Sequence, residues 1–549
     1  MLKYLSNGDV IMNEIYNDVK INKNGRNILI GGAWPYANSS LHLGHLASQL
    51  PGDVLARYHR LMGDNVMYVS GSDCHGTPIT ERAKKEGVSP RNIAERYHNE
   101  FVESFKSMNF TYNLYTNTES DFHKKTVEKL FKEIYDKGYI YEKIEPDNYC
   151  ETCKKFVADR ELITTCPECG SETKGDQCEC GHVFTKQELN GAICIDCKSK
   201  TVLKDNKNLY IALSKLQPKI EEYVKSNESK WRKNAQNETN KYLNEGLPDR
   251  AVTRDLSWGI DIPVPNYEDK KMYVWIDAVF GYLTTTMDYC NRNKIDFRDW
   301  WDKDKNNIMY MVHGKDNITF HSIIFPGLLI ALEDNYKLPD MLVSCEYLNF
   351  NDQKFSKSKG IGMTVLEASK EFNIDTLRFH LIRNGPEKRD SNFGIDEYNA
   401  THNEINNKLG NFINRTLKFK GLTNIPNGNM SEDMKKILEK TYKDISLYME
   451  KMEFREVTNI IINLLDKVNK YYDEETPWIS FKNDINKFND TIYTCSTIIA
   501  NISNYIEPIM PTTAEKIRSY LNISEPIWTY IEAEKGLELN SIEALFNRL

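Results

Sequence analysis

The reading turns on Asn27-Ile28-Leu29-Ile30-Gly31-Gly32, followed at residue 42 by His42-Leu43-Gly44-His45. The first stretch is a short apolar run ending in glycines, the pattern of a strand buried on both faces of a parallel sheet. After a turn containing Pro35 and Asn38, residues 42–61 place Leu46, Leu50, Val54, Leu55, Tyr58 and Leu61 at three-to-four spacing, which predicts a helix. Pro51-Gly52 inside it is expected to kink or briefly break it. Val66 to Val69, closed by Gly71-Ser72-Asp73, reads as a second strand. Strand, crossover helix, strand is the βαβ unit of a doubly wound sheet.

Outward from this unit, helical stretches continue to about residue 137. Cysteine pairs, glycine turns and polar helix fill 141–255, as an insertion between two halves of one sheet. The sheet is expected to resume with Met272 to Ile276, Ile308 to Val312 and Met341 to Cys345. After Phe393 no strand run is apparent, and Tyr398, Ile405, Leu409, Phe412 and Leu417 open a helical array. The expected fold is therefore α/β, a Rossmann-like doubly wound parallel sheet interrupted by a cysteine-rich insertion and followed by an α-helical bundle. The divisions expected are a poorly ordered lead-in (1–25), the two sheet halves (26–140 and 256–350), the insertion (141–255), a linking segment (351–394) and the helical domain (395–549).

Composition agrees with this scale. At roughly 100–200 residues per domain, 549 residues make about three or four domains. A formal net charge of −8 argues against an overall basic coat for nucleic acid and leaves room for a local patch. Apolar residues at 40% and charged residues at 27% exclude a mainly disordered chain. The longest apolar window, Ile318 to Leu332, is interrupted by Thr319, His321, Ser322, Pro326 and Gly327, so no membrane span is expected. The first 25 residues hold no apolar signal region, and a cytoplasmic location is the expectation.

Of 12 cysteines, eight lie between Cys150 and Cys197, as Cys150-x2-Cys153, Cys166-x2-Cys169, Cys178-x-Cys180 and Cys194-x2-Cys197. A disulfide scaffold would be short and cysteine-dense throughout. Paired turns of this kind put two thiolates each on a tetrahedral metal, and eight thiols make two sites, structural in role because no ligand position is left open. The pair Cys178 and Cys180 is one residue short of the usual spacing, and His182 stands as an alternative ligand there. Cys74, Cys290, Cys345 and Cys495 read as buried or incidental.

Two further segments carry chemistry. His42-Leu43-Gly44-His45 sits where a strand hands over to a helix, and a helix start offers unpaired N–H groups and partial positive charge to phosphate. Gly44 removes a side chain where a flat base could press, and the imidazoles could donate to phosphoryl oxygens. Lys354-Phe355-Ser356-Lys357-Ser358-Lys359-Gly360 makes a cationic loop able to neutralise a triphosphate. Either segment alone reads as ordinary helix or surface turn. Together, in this order, they resemble the HIGH and KMSKS signatures of class I aminoacyl-tRNA synthetases, with Leu43 and Phe355 as apolar-for-apolar departures. Ala33-Trp34-Pro35-Tyr36-Ala37-Asn38, Asp73-Cys74-His75-Gly76-Thr77-Pro78, Tyr273-Val274-Trp275-Ile276-Asp277-Ala278 and Gly314-Lys315-Asp316-Asn317 through Phe320-His321 resemble the methionyl-tRNA synthetase family in particular. The resemblance covers roughly residues 27–480.

The resemblance implies activation of L-methionine by ATP to the adenylate, then transfer to tRNA(Met). It implies that Trp34, Tyr36, Trp275, Val279, Tyr282 and His321 enclose the thioether while Asp73 pairs with the ammonium. Aromatic edges suit a polarizable sulfur, and a carboxylate suits the amine. Trp34 departs from the leucine that some relatives have. His42, Gly44, His45, Lys354, Ser356 and Lys357 would hold ATP with its Mg²⁺, His42, His45, Lys354 and Lys357 acting on the phosphates. The implied zinc pairing is nested, Cys166, Cys169, Cys178 and Cys180 inside and Cys150, Cys153, Cys194 and Cys197 outside, for one or two Zn²⁺. In the helical domain, Asn411, Arg415 and Trp478 would read the anticodon, Trp478 in a turn after Pro477. That domain has 18 Lys+Arg against 23 Asp+Glu, so any RNA contact is a local stripe including Lys408, Arg415, Lys418 and Lys420. Isoleucyl, valyl and leucyl enzymes usually carry a larger insertion, and a cysteinyl enzyme would have cysteine where Ala33 stands. A non-catalytic RNA-binding protein on a dead nucleotide fold is the alternative from another class. No DNA partner is expected, and a monomer is, since no appended β-barrel is recognisable.

Overall fold

The computed structural model describes residues 12–175, 178, 180, 182, 184–351, 353, 362–539 and 542–547. Its central sheet has six strands: β1 (Ile15–Tyr16), β2 (Asn27–Gly32), β3 (Asn65–Ser72), β4 (Leu114–Asn117), β5 (Asn307–Gly314) and β6 (Met341–Cys345), in the order β1-β4-β3-β2-β5-β6. All neighbours pair in parallel except β1, which runs antiparallel along β4 through Ile15 opposite Tyr115. Ile28 and Ile30 of β2 enter the core on one face and Leu29 the core on the other. Both faces are covered, which is why the strand reads as an unbroken apolar run.

The first helix, α1 (Leu43–Leu61), follows β2 as expected, with His42 as its N-cap. Pro51-Gly52 does not break it. Gly52 serves close packing instead: a Cβ there would sit 2.8 Å from the Tyr68 hydroxyl on β3. Three other expectations fail. Residues 12–25 are not loose, for Ile15 is 5% exposed and the Val19 N–H donates to Tyr289 Oη at 2.8 Å. Strand β4 lies inside the stretch expected to be helical. And the run Met272 to Ile276 is not a sheet strand. Only Lys271–Met272 is extended, paired with Thr253–Arg254 in a separate ladder, and Val274–Asn293 is a helix, α2. A short apolar run has no period that separates strand from buried helix, and here the apolar positions continue through Val279, Phe280 and Leu283 at helical spacing.

The insertion leaves the sheet on a long two-stranded ribbon. Ile140–Cys150 pairs antiparallel with Val202–Ile211, from Ile140 opposite Ile211 to Tyr149 opposite Val202. The eight clustered cysteines lie at its far end. After Ser391–Phe393, which pairs in parallel with Leu348–Phe350, helices run to Pro511–Tyr520 with irregular chain beyond, and the long helices Glu432–Glu450, Phe454–Glu475 and Ile485–Ile506 share one apolar core with α1. A fully buried ion pair joins the two: Arg378 Nη2 donates to Asp53 Oδ2 of α1 at 2.6 Å, while its Nε and Nη1 donate to the carbonyls of Ile509 and Met108, each at 2.9 Å. No helix among the described residues is long and apolar enough to cross a membrane.

Candidate active site and cysteine clusters

In a doubly wound sheet, ligands bind beyond the carboxyl ends of the strands where the order reverses. Here that point lies between β2 and β5, which stand side by side although 274 residues, 33–306, lie between Gly32 and Asn307. The segments leaving three neighbouring strands converge there: Ala33 to Tyr36 after β2, Asp73 after β3, and Asn317 to His321 after β5. With Trp275, Ala278, Val279 and Tyr282 of α2 they enclose one cavity. All seven residues expected around methionine line it. Trp275 Nε1 donates to Tyr36 Oη, and Phe320 packs edge-on against Trp275 with centroids 3.8 Å apart. At the floor His321 Nδ1–H donates to the Asn317 carbonyl at 2.8 Å, so its Nε2 accepts from Tyr282 Oη at 2.8 Å. Burial lowers His321 to about 4 against the pull of that carbonyl, and the ring is neutral near pH 7. His313 stacks on it with centroids 4.3 Å apart and the rings nearly parallel.

The Trp34 indole is fitted against two glycines. A Cβ at Gly71 would meet its ring at 2.4 Å, and one at Gly281 at 2.5 Å. Asp73, 3% exposed, is the charged residue of the cavity wall. Among the hydrogen bonds of the described residues its carboxylate accepts only from the His75 N–H, at 3.2 Å. Burial first and the Asp277 carboxylate second hold Asp73 well above the usual carboxylate range, and His75 pulls the other way. Such a group lacks a cation.

The cavity opens into a cleft of about 580 Å³ that shares Ala33, Trp34, Tyr36 and Asn317 with it and is lined further by His42, Gly44, His45, Gly314 and Asn349. The two histidines form a reciprocal cap. His42 Nδ1 accepts from the Gly44 N–H at 3.1 Å, and His45 Nδ1 accepts from the His42 N–H at 3.2 Å. With Nδ1 of each ring accepting, the proton of the neutral imidazole is on Nε2. The rings lie 3.8 Å apart, centroid to centroid. Lys354, Ser356 and Lys357 lie outside the described residues. The chain on either side of them borders the cleft: Leu348 and Asn349 line it, and Thr364 bridges to His42, with the Val365 N–H donating to the Leu41 carbonyl at 2.9 Å.

The cysteines gather in two quartets, Cys150, Cys153, Cys194 and Cys197, and Cys166, Cys169, Cys178 and Cys180, each with all sulfurs within 4.8 Å. Sulfur pairs measure 3.3 and 3.9 Å in the first and 3.7 and 3.5 Å in the second. Four thiolates at about 2.3 Å from a zinc stand about 3.8 Å apart, so both quartets fit a tetrahedral ion. The nested pairing holds, and the short Cys178-x-Cys180 turn joins the second quartet without His182, whose Nε2 faces Glu188 at 3.3 Å.

In the helical domain, Asn411 is exposed at the start of the helix Asn411–Leu417, and Arg415 lies one turn on, paired with Asp473 and seated 4.4 Å over the Tyr472 ring. Trp478, 45% exposed, stands 6.3 Å from Tyr472, on the first turn of a helix, Pro477–Asn483, rather than in an open turn. Lys408 is engaged with Asp466 and Glu404.

Sequence reasoning missed the partners behind the site. His75 is held between Asp277 and Glu119, and Gly71 and Gly281 make room for Trp34. The only signal was that His75 and Asp277 fall inside segments already singled out.

Comparison with known proteins agrees with this geometry. Residues 28–417 match the family model described as tRNA synthetases class I (M), and residues 424–546 the anticodon binding domain of methionyl tRNA ligase. Methionine--tRNA ligase 1 of Alkaliphilus oremlandii is 42% identical over 528 residues, 95% of this chain and 97% of that protein. The methionine--tRNA ligase of Bacillus mycoides is 42% identical over 532 residues, 95% and 96% of the two chains. The fold is that of Mycobacterium tuberculosis methionyl-tRNA synthetase, solved with methionyl-adenylate, at a TM-score of 0.79 and 21% identity over 95% of this chain and 100% of that one. With its switch-point cavity, capped histidines and two cysteine quartets, this chain belongs to the methionyl-tRNA synthetases of class I, the methionine--tRNA ligases.

Proposed function

We propose the following division of labour for methionine activation and transfer to tRNA(Met). The thioether of methionine lies among Trp34, Tyr36, Trp275, Val279, Tyr282 and His321, with its ammonium on Asp73. The observation that carries this is the buried Asp73 carboxylate, short of a cation, at the wall of an aromatic cavity that opens directly onto the cleft of the capped histidines. Methionine held this way directs its carboxylate toward the cleft, where ATP lies with its base against Gly44 and its phosphates facing the Nε2–H donors of His42 and His45.

The carboxylate attacks the α-phosphorus in line and pyrophosphate leaves. No side chain acts as a nucleophile. The residues orient the two substrates and stabilise charge on the pentavalent phosphorus. Lys354, Ser356 and Lys357 take the triphosphate by their match to the family signature, a role supported by the placement of both flanks of that segment at the cleft. Mg²⁺ accompanies ATP and neutralises its phosphates. The adenylate then esterifies the 3′ end of tRNA(Met), whose anticodon is read by Asn411, Arg415 and Trp478. Trp478 gives a stacking platform beside the Arg415 guanidinium. Each cysteine quartet holds one structural Zn²⁺. An enclosed aromatic cavity ending on a carboxylate has no use in a purely RNA-binding protein, which favours the enzymatic reading over that alternative.

Methionine-dependent ATP–pyrophosphate exchange tests the assignment. Replacing Lys357 by Ala is expected to abolish exchange, and Asp73→Asn to raise the methionine KM. Exchange near the parent rate in Lys357→Ala would remove the lysine from the mechanism, and an unchanged methionine KM in Asp73→Asn would remove the aspartate.

A further inference from the structure

Two buried carboxylates flank the His75 imidazole, and Asp73 lies two residues before it in the same turn, accepting from the His75 backbone N–H. His75 Nδ1 lies 3.0 Å from Asp277 Oδ2 and its Nε2 2.7 Å from Glu119 Oε1. The His75 side chain is 1% exposed, Asp277 is fully buried and Glu119 is 6% exposed. Ionised carboxylates only accept hydrogen bonds, so an imidazole between two of them donates from both nitrogens and is the charged imidazolium. Its own N–H donates to Asp73. The three contacts tie the turn after β3 to the segment after β4 and to α2, the helix that carries Trp275, Val279 and Tyr282.

The charges count out unevenly. Glu119 has Arg91 at 3.2 Å and Lys124 at 3.3 Å as further partners. Asp73 and Asp277 then share one imidazolium, and Asp277 Oδ1 has no hydrogen-bond partner among the described residues. The remaining neighbours add no cation: Tyr36 and Cys74 are pushed up by burial first and Asp73 second, and His123 is lowered to about 3 by burial and then by His75 itself. Trp258 packs edge-on over His75, its Nε1 on the Cys74 carbonyl. Among the described residues Arg91 and Lys124 pair with Glu119 and with neither aspartate, so Asp73 and Asp277 together are short of one positive charge, and Asp73 brings that deficit to the cavity wall.

We propose that His75 is a positioning residue for the amino-acid substrate: its buried imidazolium, clamped by Asp277 and Glu119, favours the ionised form of Asp73 and aims it at the ammonium. This rests on the assignment of Asp73 to the ammonium. Without the imidazolium, Asp73 and Asp277 repel with nothing between them, and Asp73 takes up a proton that competes with the substrate. The pH below which methionine affinity falls then moves up from the parent's, the fall being about tenfold for each pH unit below the point where Asp73 protonates. ATP, assigned to the neighbouring cleft, touches neither Asp73 nor His75 there and is expected to bind as before.

The test measures methionine and ATP KM by pyrophosphate exchange from pH 6 to 9 in the parent, His75→Gln and Asp73→Asn. His75→Gln is expected to raise the methionine KM tenfold or more at pH 7, with the rise on acidification beginning at least one pH unit higher than in the parent and the ATP KM within twofold. If Asp73→Asn leaves the methionine KM unchanged, the ammonium assignment itself fails. If Asp73→Asn raises it while His75→Gln keeps the parent's KM and pH profile, the assignment stands and the role of His75 is overturned. Should His75→Gln not fold, 15N NMR of histidine-labelled parent decides. A histidine keeping both ring protons at pH 8.5 supports the proposal, and its absence overturns it.

Discussion

Adding one carbon at Gly281 should damage methionine recognition more than anything else in the enzyme. The Cβ of Gly281→Ala would fall 2.5, 2.6 and 3.0 Å from Cζ2, Cε2 and Cη2 of Trp34. Carbon atoms pack best at about 3.5–4.0 Å, so the indole has to move by about 1 Å. It has no slack, because the same ring already rests against Gly71, where a Cβ would come within 2.4 Å. Overpacking of this kind costs about 1–3 kcal/mol. Expressed wholly as displacement of a cavity wall, that is roughly a 5- to 150-fold rise in methionine KM. The ATP KM should rise less than the methionine KM, since Trp34 also lines the cleft but the histidine cap lies on α1. The measurement is pyrophosphate exchange at saturating ATP across a methionine titration. Trimming the ring in the same chain, as Gly281→Ala with Trp34→Leu, should recover part of the loss. A methionine KM within twofold of the parent in folded Gly281→Ala would refute the claim that the indole wall sets the fit, and a double variant as poor as the simple product of the two would refute the steric cause.

Other outcomes follow from the same structure. Arg378→Met leaves Asp53 charged and buried beside three carbonyls, of Met108, Pro508 and Ile509, that lose its donors, and should lower stability by about 3–5 kcal/mol in urea unfolding, where under 1 kcal/mol would be a failure. Burial opposes ionisation of Asp53, but Arg57 and Arg378 override it and lower it to about 2. Its stabilisation is therefore complete above pH 4 and is lost as pH falls toward 2, a loss that acid unfolding of the parent should show and that of Asp53→Asn should lack. Metal analysis should find two zinc ions per chain in the parent and one in either Cys153→Ser or Cys169→Ser. Trp478→Ala should slow charging at subsaturating tRNA by roughly 5- to 150-fold, the worth of one stacked base.

Much of the frame was legible in the chain. Strands β2, β5 and β6 are apolar runs because both faces of a parallel sheet are covered, and the eight cysteines declare themselves by spacing. Val274 to Ile276 misled because three apolar residues carry no period, and β4 was hidden because Leu-Tyr-Thr-Asn is as polar as a loop. The side chains that face methionine were found through family motifs, whereas their supports were not. Glu119 is 44 residues from His75 and Asp277 is 202, so nothing local joins them. Glycines 71 and 281 are likewise silent until the indole they accommodate is in place.

The paired ribbon of Ile140–Cys150 and Val202–Ile211 has a plain consequence. Chain departs from the catalytic body and returns to it on adjacent, cross-linked strands, so whatever happens at the far end is hinged at one doorway. Loss of metal there should melt the tip while the nucleotide half keeps its shape, and excising the tip by closing the ribbon with a tight hairpin should leave a body that still folds.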